Sequence, residues 1–489
     1  MAKKQVVKPR KATERPLTIT RHIDVNFRNY ALYVLEHRGI PAFYDSLTNV
    51  QRFALMNAPK TFSKTISLVG TCINDGYHHG NSSLEGAINK LAKPFACSLN
   101  LLEGDGFFGS PVTPDASAAR YTAIRLHPKI NELLSTYQVL NQKNDDDQWE
   151  YLRSELPIGI FNIIVGIAVG YKSTVLPRKR EDVEKHLEGK NSKLIPYFMD
   201  FTGKVTPFTK NGSKKSWLLE GVVEVDDSAK TCRVIDLPPM MKYASFIKKL
   251  SNYAENTTID FSIQNDSSDI VDVTLTYRRH GSWEEFKERI QKMTKMIVTE
   301  TLVFVKEGSV IEYEQIGDYL SEWRVHREKT RLDKSEYDLK VYDGELEYLK
   351  ARLEYLKYMI ATKRKDDEIE KFLSKYTGKI KSRLERILLR HLNTEAIKKT
   401  EQDIKDMQQR IKDETVNGKR LVGTLAQLKI DIPVKSVSTK NRSFDLFDED
   451  DDELEGIEVY SSKRDAPNQR STAVVPEVDE DEDEDEDDY

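Results

Sequence analysis

Two narrow apolar stripes near the end of the chain constrain its fold more than any other feature. In the first, Leu339, Tyr342, Leu346, Leu349, Leu353, Leu356 and Ile360 recur at alternating spacings of three and four. The second runs through Ile397, Thr400, Ile404, Met407, Ile411, Glu414, Gly418, Leu421, Leu425 and Leu428, weakened at Thr400, Glu414 and Gly418. This rhythm is the seam of a coiled coil. Two seams joined by a compact insert predict one long antiparallel coiled coil over 331–362 and 393–430. The insert, 363–392, holds two short amphipathic patterns on either side of Gly378, one with Phe372 and Leu373, the other with Ile387, Leu388 and Leu389. About 30 residues are too few for a separate core. The insert is therefore expected to pack on something else, either a second copy of itself or its parent helices.

Charge divides the chain further. Residues 434–489 hold 21 Asp and Glu against 6 Lys and Arg, a balance of −15. Such a run buries little area and repels itself, so an acidic disordered tail is expected. The other 433 residues then carry +10 of the chain's net −5. A basic body suits a polyanionic ligand, because neutralised phosphates release counterions; ordinary surface charge fits the number equally well. Residues 1–16 are basic and aperiodic, and read as a flexible arm. No apolar run is long enough to span a bilayer, and the start lacks the apolar core of a signal peptide. A cytoplasmic location is expected. Cys72, Cys97 and Cys232 show no metal spacing, which predicts reduced thiols and no structural metal.

A chain of 489 residues divides into several domains. From 17 to 150, short helical patterns alternate with turn signals. One helix is predicted over Ser82–Lys93, with Leu84, Ile88 and Leu91 on one face and Pro94 as its stop. The stretch GDGFFGSPVTPDAS after it is loop, and 141–148 is a polar linker. Residues 151–330 read as α+β. Within them LPIGIFNIIVGIAVG looks like buried strand and turn, Trp217–Val225 and Cys232–Leu237 a hairpin turning at Asp226-Asp227, Ser245–Tyr253 a helix and Ile270–Tyr277 a strand.

Most enzyme signatures are absent. There is no GxxxxGK[ST] loop for a nucleotide and no GxSxG, and GDGFFG lacks the βαβ frame of a dinucleotide site. Asp226-Asp227 reads as a turn rather than a magnesium dyad. What remains is Tyr77-His78-His79-Gly80 together with Ser117-Ala118-Ala119-Arg120-Tyr121-Thr122. Taken singly these are ordinary: the chain has 22 tyrosines, and paired histidines are usually structural. Together they make chemical sense. A phenol ionises only near ~10 and needs help to attack. Arg120 offers a permanent cation to a tyrosinate and to a phosphate, an imidazole can take up the proton, and glycines allow backbone to approach a phosphate.

The same residues resemble a known family. GDGFFGS…DASAARYTAIRL is similar to the active-tyrosine segment of type IIA DNA topoisomerases, in their gyrase A and topoisomerase IV-like cleavage subunits. YHHGNSS, LPIGIFNIIVGIAVG and NYALYVLEHRGIPAFYDSL resemble other segments of that family, in order, over about 20–430. Chain size and its start at the cleavage region resemble the split-subunit members of T-even-type phages. The resemblance implies an α+β multidomain fold: a winged-helix (CAP-like) cleavage domain over 17–150, an α/β tower over 151–330, and a coiled coil with a small helical dimer gate. It implies that Tyr121 links to a 5′ phosphate, with Arg120 on the scissile phosphate and His79 orienting or deprotonating. It also implies DNA contacts from Arg38, Arg52, His78 and Ser82, with Ile167 as an apolar wedge. Mg2+ and ATP would be held by a partner chain bearing ATPase and metal-binding modules, and the chain itself would form a homodimer on double-stranded DNA, active in relaxation and decatenation. Where bacterial relatives read DGLKPVHRR, this chain reads DSLTNVQRF, with Thr48, Gln51 and Phe53 in place of basic residues; Gly86 stands where an acidic residue is usual. Two other readings stay open: a DNA-bending protein without chemistry, and a coiled-coil scaffold.

Overall fold

The computed structural model describes residues 27–144, 147–210, 214–362, 366–387 and 393–428, with the dipeptides 435–436 and 458–459. The basic arm 1–16 and most of the acidic tail lie outside the described residues.

The first core is assembled from two stretches far apart in sequence. Helices Asn49–Met56, Thr65–Asn74, Asn81–Ala92 and Pro128–Ser135 bury Phe53, Leu68, Leu84 and Ile130 together. Beside them lies a three-stranded sheet with Ala123–Leu126 between Ser63–Lys64 and Leu102–Asp105. The helix Asn81–Ala92 buries Leu84, Ile88 and Leu91 as their spacing predicts. It stops where Lys93 turns extended, at ψ 126, because Pro94 disfavours the helical conformation in the residue before it.

The rest of this core arrives from the hairpin Leu302–Lys306 and Ser309–Tyr313 and from the first turns of a long helix, Ile316–Ala361. Phe304 and Tyr319 stack at 4.4 Å. The Tyr319 hydroxyl donates to the Phe43 carbonyl at 2.9 Å and accepts from Ser46 at 2.6 Å. Trp323 Nε1 donates to the Tyr44 carbonyl at 2.8 Å. The boundary expected at 330 therefore falls inside a continuous helix of 46 residues. Ile316, Leu320 and Trp323 carry an apolar face into the first core before the three-and-four stripe begins.

Farther along, the long helix packs side by side with Thr394–Gln427. Leu349 and Leu356 are buried, while Leu339, Tyr342, Leu346 and Leu353 are half-buried. The insert forms two helices, Asp366–Leu373 and Gly378–Glu385. Phe372, Leu373 and Leu384 pack on Tyr348, Tyr355, Leu356 and Met359 of the long helix. The second insert helix ends before Ile387, and Leu388 and Leu389 lie outside the described residues.

The middle region has its own core of Leu219, Val234, Phe246, Val273, Phe286 and Val298. One sheet there orders Lys204–Lys210, Lys214–Glu220 and Lys295–Thr299; another orders Val222–Asp226, Thr231–Asp236, Val273–Arg279 and Asp260–Asn265. The single strand expected over 217–225 is broken at Gly221. A Cβ there would lie 2.4 Å from the Asp236 carbonyl oxygen, so only glycine lets the chain cross between the sheets. The helices are Tyr243–Asn256 and Trp283–Met293. Asp226 closes its turn by accepting from the Ser228 and Ala229 amides. Asp227 accepts from Trp283 Nε1 and Lys287 Nζ. Both carboxylates are spent on structure. No described helix is long and apolar enough to cross a membrane.

Candidate active site

Arg120 and Tyr121 are held outward by their neighbours. Ala119 is buried, its amide donating to Oε1 of Glu85 at 3.3 Å and its carbonyl accepting from the Ile66 amide at 3.2 Å. Thr122 is buried too; its carbonyl accepts from the Thr65 amide at 3.0 Å, and the two threonine hydroxyls meet at 2.8 Å. The Tyr121 amide closes a turn on the Ala118 carbonyl at 2.9 Å. Two pinned residues thus leave the intervening pair in solvent. Tyr121 is 71% exposed, more than any other described tyrosine, and the Arg120 guanidinium carbon lies 5.7 Å from its ring centroid. The other prominent tyrosines serve the cores. Burial pushes the Tyr77 hydroxyl up, against the opposing pull of Arg38. Burial, then Glu307, does the same at Tyr44, and burial, then Glu322, at Tyr313.

Arg38 and His79 are brought together as a second group. Arg38 Nη2 donates to His79 Nδ1 at 3.1 Å, and the Tyr33 hydroxyl lies 3.5 Å from Nε2. A guanidinium has no acceptor, so Nδ1 accepts and the imidazole proton sits on Nε2. Tyr77 meets the His79 ring edge-on at 5.4 Å. His78 lies against His79, ring centroids 4.7 Å apart, with its Nδ1 3.0 Å from the Gly76 carbonyl oxygen.

Two glycines attach this group to an exposed hairpin. A Cβ on Gly166 would lie 2.2 Å from the Gly39 oxygen, and one on Gly39 would lie 2.6 Å from the Ile167 oxygen. The Arg38 segment and the strand Ile164–Ala168 therefore touch backbone to backbone. That strand pairs with Tyr171–Val175. Its apolar run was expected to be buried, yet Val165, Ile167 and Val169 are 39%, 52% and 47% exposed. Period-two alternation sends Ile164 inward and these three outward. Ser82 is exposed on the first turn of Asn81–Ala92, the helix whose Glu85 anchors Ala119.

Arg52 corrects the expectation of a groove contact. It is 6% exposed and paired with the fully buried Asp45 at 2.6 Å. Its Nη2 also donates to the Leu47 carbonyl at 2.9 Å. These bonds hold three of its five N–H donors inside the core, and a side chain this buried organises the core instead of meeting phosphate. The anchoring roles of Thr65, Glu85 and Thr122, and the contact of Gly39 with Gly166, escaped sequence reasoning. The only local signals were a threonine directly after the tyrosine and a glycine in each of two motifs.

The family model for the A-type subunits of DNA gyrase and topoisomerase IV matches residues 38–422. The chain belongs to that family. It is 30% identical to the DNA topoisomerase medium subunit of Enterobacteria phage T4 over 197 residues, 37% of this chain and 45% of that one. To DNA topoisomerase 2 of Penicillium chrysogenum it is 28% identical over 353 residues, 66% of this chain and 22% of the other. The matches thus span less than half the length of these relatives. In fold it is similar to the Plasmodium falciparum topoisomerase II DNA-binding, cleavage and re-ligation domain, with TM-score 0.69 at 17% identity over 83% of this chain and 64% of that one.

Proposed function

We propose that this chain breaks and rejoins DNA as the cleavage subunit of an ATP-dependent type II topoisomerase, with Tyr121 as nucleophile. The observation that carries this reading is the outward projection of Arg120 and Tyr121 between two buried, hydrogen-bonded neighbours. The phenol oxygen attacks a backbone phosphorus. An O–P bond to tyrosine forms as the bond from phosphorus to the 3′ oxygen breaks. The phenol loses its proton to a base, and the departing 3′ oxygen gains one. The number of phosphodiester bonds is unchanged, so resealing runs the same step backward without a nucleotide. Arg120 neutralises charge on the phosphate as the phenolate develops. His79 presents Nε2–H as a donor and orients the phosphate, while Arg38 adds a cation beside it.

In this reading the helix Asn81–Ala92, with Ser82 at its start, is the recognition element of a winged-helix domain. Ile167 with Val165 and Val169 forms the wedge that unstacks a base step. The middle region is the tower. The paired helices are the coiled coil, and the insert is the dimer gate of a homodimer on double-stranded DNA. Among the described residues no group of three or more His, Cys, Asp or Glu side chains is arranged for a metal. A large subunit with ATPase and metal-binding modules would supply Mg2+ and ATP.

The test is a cleavage reaction containing DNA and the partner subunit, stopped with denaturant and digested with protease. The peptide left on DNA is expected to contain Tyr121. Tyr121→Phe should leave DNA affinity within about twofold and remove the adduct. An adduct on another residue, or one that persists in Tyr121→Phe, overturns the reading.

A further inference from the structure

The tower sheet meets the acidic tail at its edge. The sheet continues beyond Lys295–Thr299 with Glu458–Val459, running parallel, Glu458 opposite Met296 and Val459 opposite Ile297. Before that, Lys435–Ser436 adds antiparallel to Ser309–Tyr313, at Glu312 and Ile311. After the helix Thr394–Gln427 the described dipeptides thus pair first with the hairpin of the first core and then with the tower sheet. Sequence gives a reason. Ile457, Val459 and Tyr460 are strand-favouring residues that follow an acidic segment, 445–455, with 8 Asp and Glu among 11 residues. The receiving strand also suits an added neighbour. Met296, Ile297 and Val298 are all buried, although successive side chains point to opposite faces. An apolar strand left at an edge is a template for another strand.

We propose that the acidic tail docks on the tower by strand addition at Glu458–Val459, and that the terminal acidic run competes from there with DNA in cis. The register gives the direction. Lys295 stands opposite Glu220 and Thr299 opposite Ser216. Being parallel to Lys295–Thr299, the tail leaves Val459 toward the Thr299 end. At that end the strands Lys204–Lys210 and Lys214–Glu220 are joined, and the sequence there carries Lys210, Lys214 and Lys215. The final run, with 11 acidic residues among the 13 of 477–489, begins 18 residues after Val459. That length of chain reaches at most about 60 Å. A short tether holds such a run at millimolar effective concentration, so weak contacts suffice. The competition rests on the DNA-cleaving reading above; the strand addition does not.

Hydrogen exchange and DNA binding test both parts on three proteins: the full chain, the chain ending at Pro433, and the full chain with Val459→Pro. Proline lacks the backbone donor and fixes φ at about −65°, away from extended strand values, so it weakens this outermost strand yet leaves every tail charge in place. Those amides of 295–299 that face the tail rather than the strand Lys214–Glu220 are expected to exchange at least about tenfold faster in both variants than in the full chain. A synthetic peptide of residues 452–463 should restore protection to the truncated chain. DNA affinity at low salt should rise about tenfold on truncation and several-fold with Val459→Pro. Equal exchange in all three proteins overturns the docking. Tighter DNA binding on truncation but not with Val459→Pro overturns the role of the strand, leaving charge alone. Faster exchange with unchanged DNA affinity overturns the competition. A chain that shows the exchange difference but binds no DNA in any form counts against the DNA reading itself, with the docking intact.

Discussion

Replacing Arg52 with alanine separates a core residue from a DNA contact. The Asp45 carboxylate is fully buried and takes Nε of Arg52 at 2.6 Å and Nη2 at 3.3 Å. It also accepts from the Leu47 and Leu152 amides at 3.0 and 2.9 Å. Such a pair gains little over an apolar substitute, but removing one member strands the other charge in the core, at about 3–5 kcal/mol. The two amides remain on Asp45 in Arg52→Ala, which places the loss near the lower end, about 3 kcal/mol. For a unit of roughly 150–250 residues each kcal/mol moves the midpoint by about 2–4 °C. The unfolding transition of the first core should fall by about 6–12 °C in calorimetry of the full chain. DNA binding measured in the cold, per folded molecule, should keep its affinity and its salt dependence. Arg38→Ala is the control, since Arg38 is exposed: stability within about 0.5 kcal/mol, and a salt slope smaller by about one phosphate. An unchanged midpoint for Arg52→Ala with a reduced salt slope would refute the burial reasoning.

Ile167→Ala removes the centre of the exposed apolar row. Because Ile167 is 52% exposed, stability should change by less than about 0.5 kcal/mol, while the bend read from end-to-end fluorescence transfer on a short duplex should shrink; an unaltered bend eliminates the wedge. Burial, aided by Arg153, Lys329 and Lys306, pushes His326 down to about 3, whereas the unfolded chain takes up this proton near ~6.5. Stability from the neutral ring is therefore complete above about 6.5 and is lost as pH falls toward 3, at up to about 1.4 kcal/mol per pH unit. His326→Gln should flatten that part of the midpoint-versus-pH curve, and a slope identical in both proteins would disprove the assignment.

What could be read from sequence was set by how local its cause is. The helix Asn81–Ala92 is specified by Leu84, Ile88, Leu91 and Pro94, all within or beside it. The three-and-four stripes behave likewise, since a narrow seam is a property of one helix. The start of the long helix at Ile316 was hidden because Ile316, Leu320 and Trp323 bury against Phe43, Phe53 and Phe304, not against the partner helix. Gly221 was unreadable for a similar reason. The alternation of the flanking residues runs straight through it, and only the Asp236 carbonyl, 15 positions on, demands a break. Arg52 is read as a DNA contact only from the family resemblance of DSLTNVQRF, and nothing in the local pattern shows that Asp45 would claim it.

The candidate site has the same division, and this bears on how it could work. The chemistry of Arg120 beside Tyr121 is visible in two letters, but their usefulness comes from Thr65, Glu85 and Thr122, which fix the backbone on both sides. An exposed phenol on a loose loop would lose conformational entropy at each attack, on the order of 1–2 kcal/mol per residue ordered. Here that ordering is already built into the buried core, so in the proposed reaction binding energy from DNA would not be spent on it. The Arg38 and His79 group is tied down differently, through glycine contacts to the Ile167 hairpin. The backbones of Gly39 and of the strand through Gly166 and Ile167 meet so closely that a displacement of the hairpin would be passed to the Arg38 segment. If Ile167 is the wedge and Arg38 the phosphate contact, as proposed, bending of the duplex and placement of the cation would be one mechanical event, whereas Tyr121 is tied to the helix that carries Glu85.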